Sequence, residues 1–538
     1  MPTILNDFLR IVRKYPNSTA ITHCLSKVLE TKITFAELDQ RSDELAAHLN
    51  AQSISSGDFI GVYMARSIDH VAAILGILKT GAAFYSLNTR STIEQVAHAV
   101  RLSHAPNLLI DYGTLINLQN VDKAKGAITS IILYSSKAPT SFHKELIENI
   151  RKTISMAQLI PTNSAGGQTP LSRNIVPHDV AMVLFTSGST GNPKGVLISH
   201  QDLYNRTHTE CEYYEITNED VLLNLLPFSF DVGANQLFTA LSTGAQLSIL
   251  NSWMPADIIS VVQKHRVVGI SAVPAIWASF LSLPKNEEAF QIIDSVRYIT
   301  ISGGDLAPDQ LKRLGENLHK TKIYKTYGQT ETFRSALLLP SEYQNKMLSV
   351  GRPVRGTRVI IVNSRGERAA ANEAGEIIHS GDGTMLGYLG DARETSRKVR
   401  PTPIKGKKSP YQQRVVFTGD IGKVDHEGYL YILGRKDRMI KSSGYRIYPK
   451  EIYDQILRHS SVQEAVVFGI PDKNIGKAIW AEVQLKQGME MKEDELKRFL
   501  SDKLPQYMIP SRIMFVPDFP RTPSGKIRLS EVEAKYRE

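Results

Sequence analysis

Alternating strand and helix patterns are the sequence feature that most restricts the possible folds of this chain. The segment "ITFAELDQRSDELAAHLN" has apolar residues at helical spacing after Thr34, which we expect to cap the helix. "FIGVYMA" is a short apolar run of strand type, and "HVAAILGILKTGAAFYSLN" predicts a helix that ends near Gly81 and is followed by a strand. The rhythm returns in "APNLLIDY", "SIILYS" and "VGISAVP". Such alternation predicts an α/β fold with parallel sheets covered by helices on both faces.

The pattern changes in the last third of the chain. "TRVIIVNSRGERAAANEAGEIIHSG" and "GYLYILGRKDRMIKSSGYRIYP" indicate hairpins with glycine turns, and a compact α+β pattern follows to the end. At 538 residues the chain is long enough for more than one domain. We predict a large N-terminal domain over residues 1–434 and a small C-terminal domain over residues 435–538.

The positive charge of the chain is unevenly distributed. The formal net charge is +10, which first suggests nucleic acid as a partner. Residues 391–450 hold fifteen Lys and Arg against six Asp and Glu, with "IKGKKSPYQQR" as the densest loop. The sequence has no zinc-finger spacing and no aromatic RNA-binding signature. We therefore interpret this region as a solvated basic loop or as a surface for an acidic partner such as a carrier protein, and we expect no nucleic-acid function.

Cysteine content and hydropathy favour a cytoplasmic protein. Cys24 and Cys211 are the only cysteines and lie far apart, so we expect neither a disulfide framework nor a zinc cluster. No apolar run approaches the roughly 20 residues of a membrane helix, and the first residues lack the apolar block of a signal peptide. We expect a cytoplasmic enzyme without membrane insertion.

The loop "LFTSGSTGNPKGV" at 184–196 has the composition of a phosphate-binding turn. Its glycines let the backbone approach an oxyanion closely, the hydroxyls add donors, and a lysine adds a positive charge. The loop fails the spacing of a Walker A motif. A plain glycine-rich turn is the other interpretation. The candidate phosphate ligands are Thr186, Ser187, Gly188, Ser189, Thr190, Gly191 and Lys194.

Other segments supply groups that suit a nucleotide and a metal ion. "YKTYGQTET" places Tyr327 beside Gly328, which suits stacking on a purine, and adds Thr330 and Glu331 for phosphate and Mg²⁺. "VVFTGDIG" places Asp420 at a strand end, where a carboxylate can accept both ribose hydroxyls. Further candidates are Arg435, Asp437, Lys441 and Gly444 in "LGRKDRMIKSSGYRI" and Lys526 in "PRTPSGKIR". Each of these signals is weak by itself.

Together and in this order, the segments resemble the adenylate-forming superfamily, which includes acyl-CoA synthetases, luciferases and the adenylation domains of peptide synthetases. The resemblance covers nearly the whole chain. It is carried by "TFAEL", "LKTGAAFYSLN", the phosphate loop, "FSFDVG", "YGQTE", "GEIIHSG", "FTGD", "GRKDRMIKSSGYRI" and "PSGK". It implies stacked αβαβα sheets and a β-barrel-like subdomain in the large domain, with a small α+β lid.

The resemblance also implies a two-step reaction. A carboxylate attacks the α-phosphorus of ATP and gives an acyl-adenylate and pyrophosphate, and a nucleophile then attacks the activated carbonyl and releases AMP. Lys526 is expected to bridge carboxylate and phosphate, Thr330 and Glu331 to hold phosphate and Mg²⁺, and Asp420 with Arg435 to hold the ribose. Gly303, Gly304 and Tyr327 are expected to frame the adenine. Asp437 is expected at a hinge between the two domains, with Lys441 and Gly444 in a loop that enters the site for the second step.

The segment "LLPFSFDVGANQLF" carries the information about the acid. In the amino-acid-activating branch of the superfamily, the aspartate after Phe binds the α-ammonium of the substrate, and Asp231 holds that position. The alternative is that Asp231 only caps the helix that begins near Val232. The resemblance places Asp231, Val232, Asn235, Ser271, Ser302, Thr326 and Arg334 around the acid. Arg334 is expected to pair a second substrate carboxylate, Glu331 or Asp231.

Three acceptors stay open at the level of sequence. CoA or the phosphopantetheine thiol of a carrier protein is the superfamily's usual acceptor, and a free amine would give an amide. "YGQTE" has Gln329 where peptide synthetases usually have proline, and "SSGYRIYPKEIY" also resembles acyl-CoA ligases. No carrier or condensation domain follows residue 538, so we expect a free-standing enzyme. A non-catalytic adenylate-binding protein is disfavoured, because Glu331 and Lys526 are both present.

Overall fold

The computed structural model describes most of the chain. The described ranges are 3–26, 28–105, 107–118, 127–136, 140–151, 155–159, 175–186, 193–283, 287–402, 414–442, 445–521 and 527–536. None of the helices in these ranges combines the length and the apolar character of a membrane-spanning segment.

Strands and helices alternate over the first two thirds of the chain. The strands, in chain order, are β1 Thr19–Cys24, β2 Glu30–Thr34, β3 Phe59–Tyr63, β4 Ala83–Ser86, β5 Asn107–Ile110, β6 Ser130–Tyr134, β7 Ser155–Leu159, β8 Val180–Thr186, β9 Lys194–Ser199, β10 Val221–Asn224, β11 Gln246–Leu250, β12 Gly269–Ala272, β13 Tyr298–Ile301, β14 Lys322–Tyr327, β15 Ala336–Leu338, β16 Arg352–Pro353, β17 Thr357–Val362, β18 Gly375–Gly381, β19 Gly387–Tyr388, β20 Val399–Pro401, β21 Arg414–Val424, β22 Leu430–Arg435, β23 Ile440–Ser442, β24 Tyr445–Ile447, β25 Val462–Asp472, β26 Gly476–Leu485 and β27 Arg512–Phe515.

The helices, in chain order, are α1 Ile4–Lys14, α2 Phe35–Ala51, α3 Ile68–Thr80, α4 Ile93–Ser103, α5 Tyr112–Leu115, α6 Ser141–Arg151, α7 His200–Tyr213, α8 Asp231–Thr243, α9 Pro255–His265, α10 Pro274–Leu281, α11 Glu287–Ile293, α12 Pro308–Asn317, α13 Tyr343–Lys346, α14 Ala392–Lys398, α15 Pro449–Ile456, α16 Glu493–Ser501 and α17 Leu529–Ala534. Short 3₁₀ turns include Lys436–Arg438.

Local sequence determines where several helices begin and end. Thr34 and Glu37 form a capping box at the start of α2, in which each side chain accepts a hydrogen bond from the backbone N–H of the other. Gly81 ends α3 in the left-handed conformation, with φ of 85°. Both ends agree with the sequence prediction.

Two large sheets form the centre of the molecule. One has eight strands in the order β19-β9-β8-β4-β3-β5-β6-β7, and the other has nine in the order β16-β15-β14-β13-β12-β10-β11-β1-β2. Their central strands are parallel, and antiparallel pairs occur towards the ends. This is the parallel arrangement that the alternating pattern predicted.

The apolar core is arranged in layers. A cluster that includes Val71 of α3 and Leu237 of α8 joins strands of both large sheets, so these two helices lie between the sheets. Separate clusters cover the outer face of the nine-stranded sheet, with α9, α10 and α12, and that of the eight-stranded sheet, with α4 and α6. The predicted αβαβα layering is confirmed.

Two five-stranded sheets follow in the last third of the chain. The first has the order β17-β18-β21-β20 with β22 beside β21, and it corresponds to the predicted barrel-like subdomain, with its described strands paired as an open antiparallel sheet. The second has the order β24-β23-β26-β25 with β27 beside β26. It packs with α15 and α16 around a core of its own, which Ala307 of the larger part also touches. The chain is thus α/β, with a smaller α+β region at its C-terminal end.

Candidate active site

The Asp420 carboxylate lies at the centre of a hydrogen-bond network. Asp420 is buried on β21, directly opposite Arg435 on β22. Its Oδ2 accepts hydrogen bonds of 2.6 Å from Tyr327 Oη and of 2.6 Å from Gln329 Nε2, and its Oδ1 accepts one of 3.1 Å from Arg435 Nη1. The fold therefore brings together the residues that the sequence assigned to the ribose, Asp420 and Arg435, and the adenine candidate Tyr327.

Tyr327 and Gln329 hold this carboxylate as neutral donors. Burial, together with the Asp420 charge, raises the pKa of Tyr327 well above its ordinary value, so the phenol stays protonated and donates. The sequence noted Gln329 only as a departure from the proline of peptide synthetases. Its contact with Asp420 was missed, and a proline at this position would lack the side-chain donor.

A second group of charges surrounds Glu331. Tyr388 Oη donates a hydrogen bond of 2.7 Å to Glu331 Oε1. The ammonium of Lys194 lies 5.4 Å from the centre of the Tyr388 ring and 3.0 Å from Glu394 Oε1. The hydrogen bond from Lys194 lowers the pKa of Glu394, which keeps that carboxylate charged. The candidate phosphate ligand Lys194 and the candidate metal ligand Glu331 thus both contact Tyr388, a residue that the sequence analysis did not identify.

Lys398 is a further cation between these two groups that the sequence analysis missed. Its Nζ donates a hydrogen bond of 2.9 Å to the carbonyl oxygen of Thr418. Burial lowers its pKa, and the negative charges of Glu331 and Asp420 act in the opposite direction. The Lys398 ammonium therefore interacts electrostatically with both the candidate Mg²⁺ ligand, Glu331, and the candidate ribose ligand, Asp420.

The loop after β14 has a backbone path that few side chains permit. A Cβ atom on Gly328 would lie 1.9 Å from the carbonyl oxygen of Phe333, so this position accepts only glycine. Phe333 itself has φ of 54°, the left-handed region that bulky residues rarely adopt. Gly303, with φ of 77°, is followed by Gly304 after β13 and lies against the ring of Phe230. The tight turn folds the loop back, so that residues at both of its ends line one space.

That space is a cavity of about 60 Å³. Its lining comprises Phe230, Asp231, Val232, Asn235, Ser302, Gly303, Thr326, Gly328, Gln329, Thr330, Phe333 and Arg334. The fold thus gathers residues predicted for the acid and residues predicted for the nucleotide around one cavity. Ser271, which was also assigned to the acid, lies buried on β12 outside this lining.

Asp231 contributes both to the start of α8 and to the cavity. It is the first residue of the helix, and Phe230 takes the capping position without a side-chain hydrogen bond. Asp231 Oδ1 accepts a hydrogen bond of 2.8 Å from the Val232 N–H, while the residue is 9% exposed and lines the cavity. The two interpretations of Asp231, helix start and ammonium ligand, are therefore compatible in one geometry.

Arg334 forms a buried ion pair with Glu210 of α7. Burial disfavours a charged guanidinium, but the Glu210 carboxylate outweighs this and raises the pKa of Arg334 above its usual range. The sequence considered Glu331 and Asp231 as protein partners of Arg334, and the direct ion pair is with Glu210 instead. A substrate carboxylate at Arg334 has to compete with this pair.

Comparison with known proteins decides the family. The sequence profile of the AMP-binding enzyme family matches residues 8–389, and that of the AMP-binding enzyme C-terminal domain matches residues 451–526. The chain belongs to the AMP-binding enzyme family. The predicted membership of the adenylate-forming superfamily is thereby confirmed.

Relatives of this AMP-binding enzyme differ greatly in length. Bacitracin synthase 3 of Bacillus licheniformis is 26% identical over 98% of the chain, and the chain spans only 8% of that protein. The long-chain-fatty-acid–CoA ligase of Bacillus subtilis (strain 168) is 26% identical over 97% of the chain and 93% of the ligase. Among solved structures, the amide bond synthetase McbA from Marinactinospora thermotolerans is similar in fold, with a TM-score of 0.85 at 21% identity over 99% of this chain and 100% of that one.

Some predicted residues lie outside the part of the enzyme that the structure describes. These are Ser187, Gly188, Ser189, Thr190 and Gly191 of the phosphate loop, Gly444 of the second-step loop, and Lys526. The two ends of the phosphate loop are described: Thr186 and Lys194 are partners in the antiparallel β8–β9 ladder, and the carbonyl oxygen of Pro193 is 3.0 Å from His98 Nε2.

The predicted hinge lies next to the ribose corner. Asp437 is in the 3₁₀ turn after β22, is half-exposed, and its Oδ1 accepts a hydrogen bond of 3.3 Å from Arg435 Nε. Arg435 thus contacts both Asp420 and Asp437. Lys441 is exposed on β23. The hinge and second-step roles of Asp437 and Lys441 stay predictions.

Proposed function

We propose that this enzyme uses ATP to activate a small carboxylic acid as an acyl-adenylate, releases pyrophosphate, and then transfers the acyl group to a thiol. The observation that carries the proposal is the single loop from Tyr327 to Arg334. One end of it holds Asp420 through Tyr327, and the other end lines the cavity through Phe333 and Arg334. A nucleotide bound at the first end and an acid bound in the cavity would lie side by side, as the first step requires.

Positively charged side chains near this loop suit the first step, in which the acid attacks ATP. The carboxylate and the triphosphate are both anions, and negative charge develops at the attacked phosphorus, so cations and N–H donors must offset their repulsion. Lys194 and Lys398 provide two cations near Glu331. Lys526 is proposed to bridge the two reacting anions. Asp420, fixed by three donors, is proposed to accept the ribose hydroxyls.

Glu331 is suited to a magnesium ion. Its carboxylate offers the hard oxygen ligand that Mg²⁺ prefers, and the hydrogen bond from Tyr388 fixes its orientation. Bound Mg²⁺ would neutralise charge on the phosphates. Thr330, which follows Gln329 in the same loop, is proposed to bind phosphate through its hydroxyl.

The Asp231 carboxylate favours an acid that also bears an amine. Asp231 and Arg334 are the charged residues of the lining, and Arg334 is engaged in its ion pair with Glu210, so Asp231 is the group that we propose for a substrate ammonium. A carboxylate in a partly apolar cavity is most stable opposite a cation, which an ammonium group on the substrate supplies. The small volume of the cavity is consistent with a small acid.

The nature of the acceptor is the second part of the proposal. Transfer to the thiol of CoA is supported by a relative of matching length that is named as a CoA ligase, and a carrier's phosphopantetheine offers the same thiol. Transfer to an amine is the alternative, because an acyl-adenylate is reactive enough for either nucleophile and the first step uses the same residues in both cases.

One assay tests both parts. The purified enzyme receives ATP, Mg²⁺ and a panel of small acids with and without amino groups, and pyrophosphate release is measured. The productive acids are then tested with CoA, with a phosphopantetheinylated carrier protein and with free amino acids, and the product mass is determined. A mass equal to acid plus amine minus water would replace the thioester proposal by the amide alternative.

Two lysine substitutions, one in the proposed site and one outside it, test the role of Lys526. Lys526→Ala is expected to slow pyrophosphate release by about 100-fold or more, as loss of a group that stabilises the transition state does. Lys312→Ala removes an exposed lysine of α12 and is expected to leave the rate unchanged. Absence of pyrophosphate release with every acid would refute the proposed function.

A further inference from the structure

Cys24, Glu30 and His265 form a cluster of metal-ligand side chains that takes no part in the proposed reaction. Their ligand atoms all lie within 4.8 Å of one another, and none of the three lines the acid cavity. No sequence pattern indicates this cluster, because one cysteine, one glutamate and a histidine far along the chain form no spacing motif. Only the packing of α9 against the edge of the nine-stranded sheet brings them together.

Two of the three distances between ligand atoms are close to the edges of a tetrahedral site, and the third, from Cys24 Sγ to a Glu30 carboxylate oxygen, is within 4.8 Å. Cys24 Sγ lies 3.7 Å from His265 Nε2, and His265 Nε2 lies 3.1 Å from Glu30 Oε2. With a Zn–S distance of about 2.3 Å and Zn–N and Zn–O distances of about 2.0–2.1 Å, tetrahedral geometry places S and N about 3.6 Å apart and N and O about 3.4 Å apart. The three atoms can therefore approach one ion with only small side-chain shifts.

Regular backbone holds all three residues. Cys24 and Glu30 are directly opposite one another in the antiparallel β1–β2 pair, which puts their side chains on the same face of the sheet. His265 is the last residue of α9, and Arg266 ends that helix with φ of 51°. Cys24 and the His265 side chain are both less than 10% exposed. Ligands placed on strands and helices in this way need little reorganisation.

Two lysines offer a purely electrostatic explanation of the same cluster. Lys264 Nζ is 2.7 Å from Glu30 Oε2, and Lys32 Nζ is 3.0 Å from Glu30 Oε1. These ion pairs account for the charge of Glu30, and the contacts of His265 Nε2 with Glu30 Oε2 and with Cys24 Sγ hold the same three atoms together without an ion. Both lysine side chains are substantially exposed, at 41% and 53%, so they can move into solvent at little cost when an ion binds.

We propose that Cys24, Glu30 and His265 bind one divalent transition-metal ion of the Zn²⁺ type, which fastens the β1–β2 hairpin to the end of α9. The mixed sulfur, nitrogen and oxygen donor set selects such an ion and does not suit Mg²⁺. Binding replaces the thiol proton, which leaves to solvent, and the proton of neutral His265 resides on Nδ1 so that Nε2 is the ligand. The inference goes beyond the proposed function and does not depend on it.

Cobalt spectroscopy tests this directly. Tag-free, chelator-treated full-length protein is titrated with Co²⁺ under reducing conditions, and the thiolate-to-cobalt charge-transfer band and the visible bands of tetrahedral cobalt are recorded. We expect saturation at one Co²⁺ per chain, displacement by Zn²⁺, and no displacement by a large excess of Mg²⁺. We also expect Zn²⁺ to raise the melting temperature.

The two cysteines of the chain supply a matched comparison. Cys24→Ser is expected to abolish the charge-transfer band, and Cys211→Ser, which changes the cysteine on α7, is expected to keep it. His265→Gln retains both cysteines and is expected to lose the tetrahedral spectrum, which keeps the test decisive if Cys24→Ser folds poorly; circular dichroism checks the fold of each variant. The proposal fails if wild-type protein shows no thiolate band, or if the band survives in Cys24→Ser or in His265→Gln.

Discussion

Tyr388 donates a 2.7 Å hydrogen bond to Glu331 and so joins strand β19 to the loop after β14. Burial and the adjacent carboxylate raise the pKa of Tyr388 above its ordinary value, so the phenol remains a donor at every physiological pH. The bond orients the carboxylate that we propose for Mg²⁺, and it does so from a residue 57 positions away in the chain.

Tyr388→Phe removes this hydroxyl and keeps the ring beside Lys194. We expect a 10- to 100-fold lower apparent affinity for Mg²⁺, about the contribution of outer-shell partners of metal ligands, with recovery at high Mg²⁺. The measurement is the rate of pyrophosphate release as a function of Mg²⁺ concentration. Tyr343→Phe is the control, because its hydroxyl donates to the Leu311 carbonyl oxygen instead. An unchanged Mg²⁺ dependence in Tyr388→Phe would contradict the orienting role.

The lowered pKa of Lys398 predicts that the activity of the enzyme depends on pH. Burial lowers its pKa, so its positive charge is lost at a lower pH than for an ordinary lysine. If the charge assists the first step, kcat/KM for ATP falls as the pH rises through that pKa. In Lys398→Arg the charge persists, and we expect the alkaline fall to move to higher pH. Lys398→Met should be slow at every pH, and Lys436→Arg, at a lysine paired with Glu376, should keep the wild-type profile.

The sequence predicted those features that local chemistry determines. The Thr34 cap, the end of α3 at Gly81 and the hairpin of β17 and β18 each depend on residues that are neighbours in the chain. The convergence of Asp420, Arg435 and Tyr327 was predicted from the resemblance, which carries tertiary information that single segments lack.

The partners of buried charges were not predictable in this way. Arg334 and Glu210 are 124 residues apart, and their contact depends on how α7 packs beside the loop after β14. No periodicity or spacing records such packing. The same reason explains why Lys398 and Tyr388 were missed, since each acts through a residue to which it has no local sequence relation.

His379 predicts that the protein loses stability in acid. Its two ring nitrogens contact Ser335 Oγ at 2.9 Å and the Asp382 carbonyl oxygen at 3.0 Å, and burial lowers its pKa to about 3. In the unfolded chain the His379 side chain binds a proton below about pH 6.5, whereas in the folded protein it stays neutral until the pH approaches 3. The contribution of neutral His379 to the free energy of unfolding is therefore fully present above about pH 6.5 and is lost as the pH falls towards 3. At pH 5 the loss is about 2 kcal/mol.

His379→Gln tests this sign. The fall in melting temperature between pH 7 and pH 5 should be smaller in the variant than in the wild type. Buried His70 and His200, whose pKa values burial lowers to about 4, act in the same direction and will leave part of the fall in place. His319→Gln, at an exposed histidine, should reproduce the wild-type fall. A fall of equal size in His379→Gln would exclude this source of acid sensitivity.

The surroundings of Arg206 and Arg334 predict losses of stability of different size for the same substitution. Both are buried, but Arg334 pairs with Glu210, whereas none of the three guanidinium nitrogens of Arg206 has a hydrogen-bond partner in the described ranges. Breaking a buried ion pair costs about 3–5 kcal/mol because it leaves an uncompensated charge, whereas Asp202 and Asp382 act on Arg206 through their charges alone, without a hydrogen bond. Arg334→Met should therefore fall well below wild-type stability, and Arg206→Met should lose less. Urea unfolding of both variants measures this, and equal losses would refute the distinction.

Asp231→Asn separates the two functions of Asp231. The amide keeps an oxygen for the Val232 N–H and so preserves the start of α8, but it removes the negative charge from the cavity. Because a hydrogen bond to a charged group contributes about 1.5–3 kcal/mol, we expect kcat/KM for an amine-bearing acid to fall by roughly 10- to 100-fold relative to its analogue without the amine. The measurement is pyrophosphate release with the two acids in parallel.

Asp231→Ala is the control, because it removes the hydrogen bond to the Val232 N–H as well as the charge. A melting temperature that is lower in Asp231→Ala than in Asp231→Asn would show that this hydrogen bond stabilises the start of α8. An unchanged preference between the two acids in Asp231→Asn would mean that the carboxylate only starts the helix.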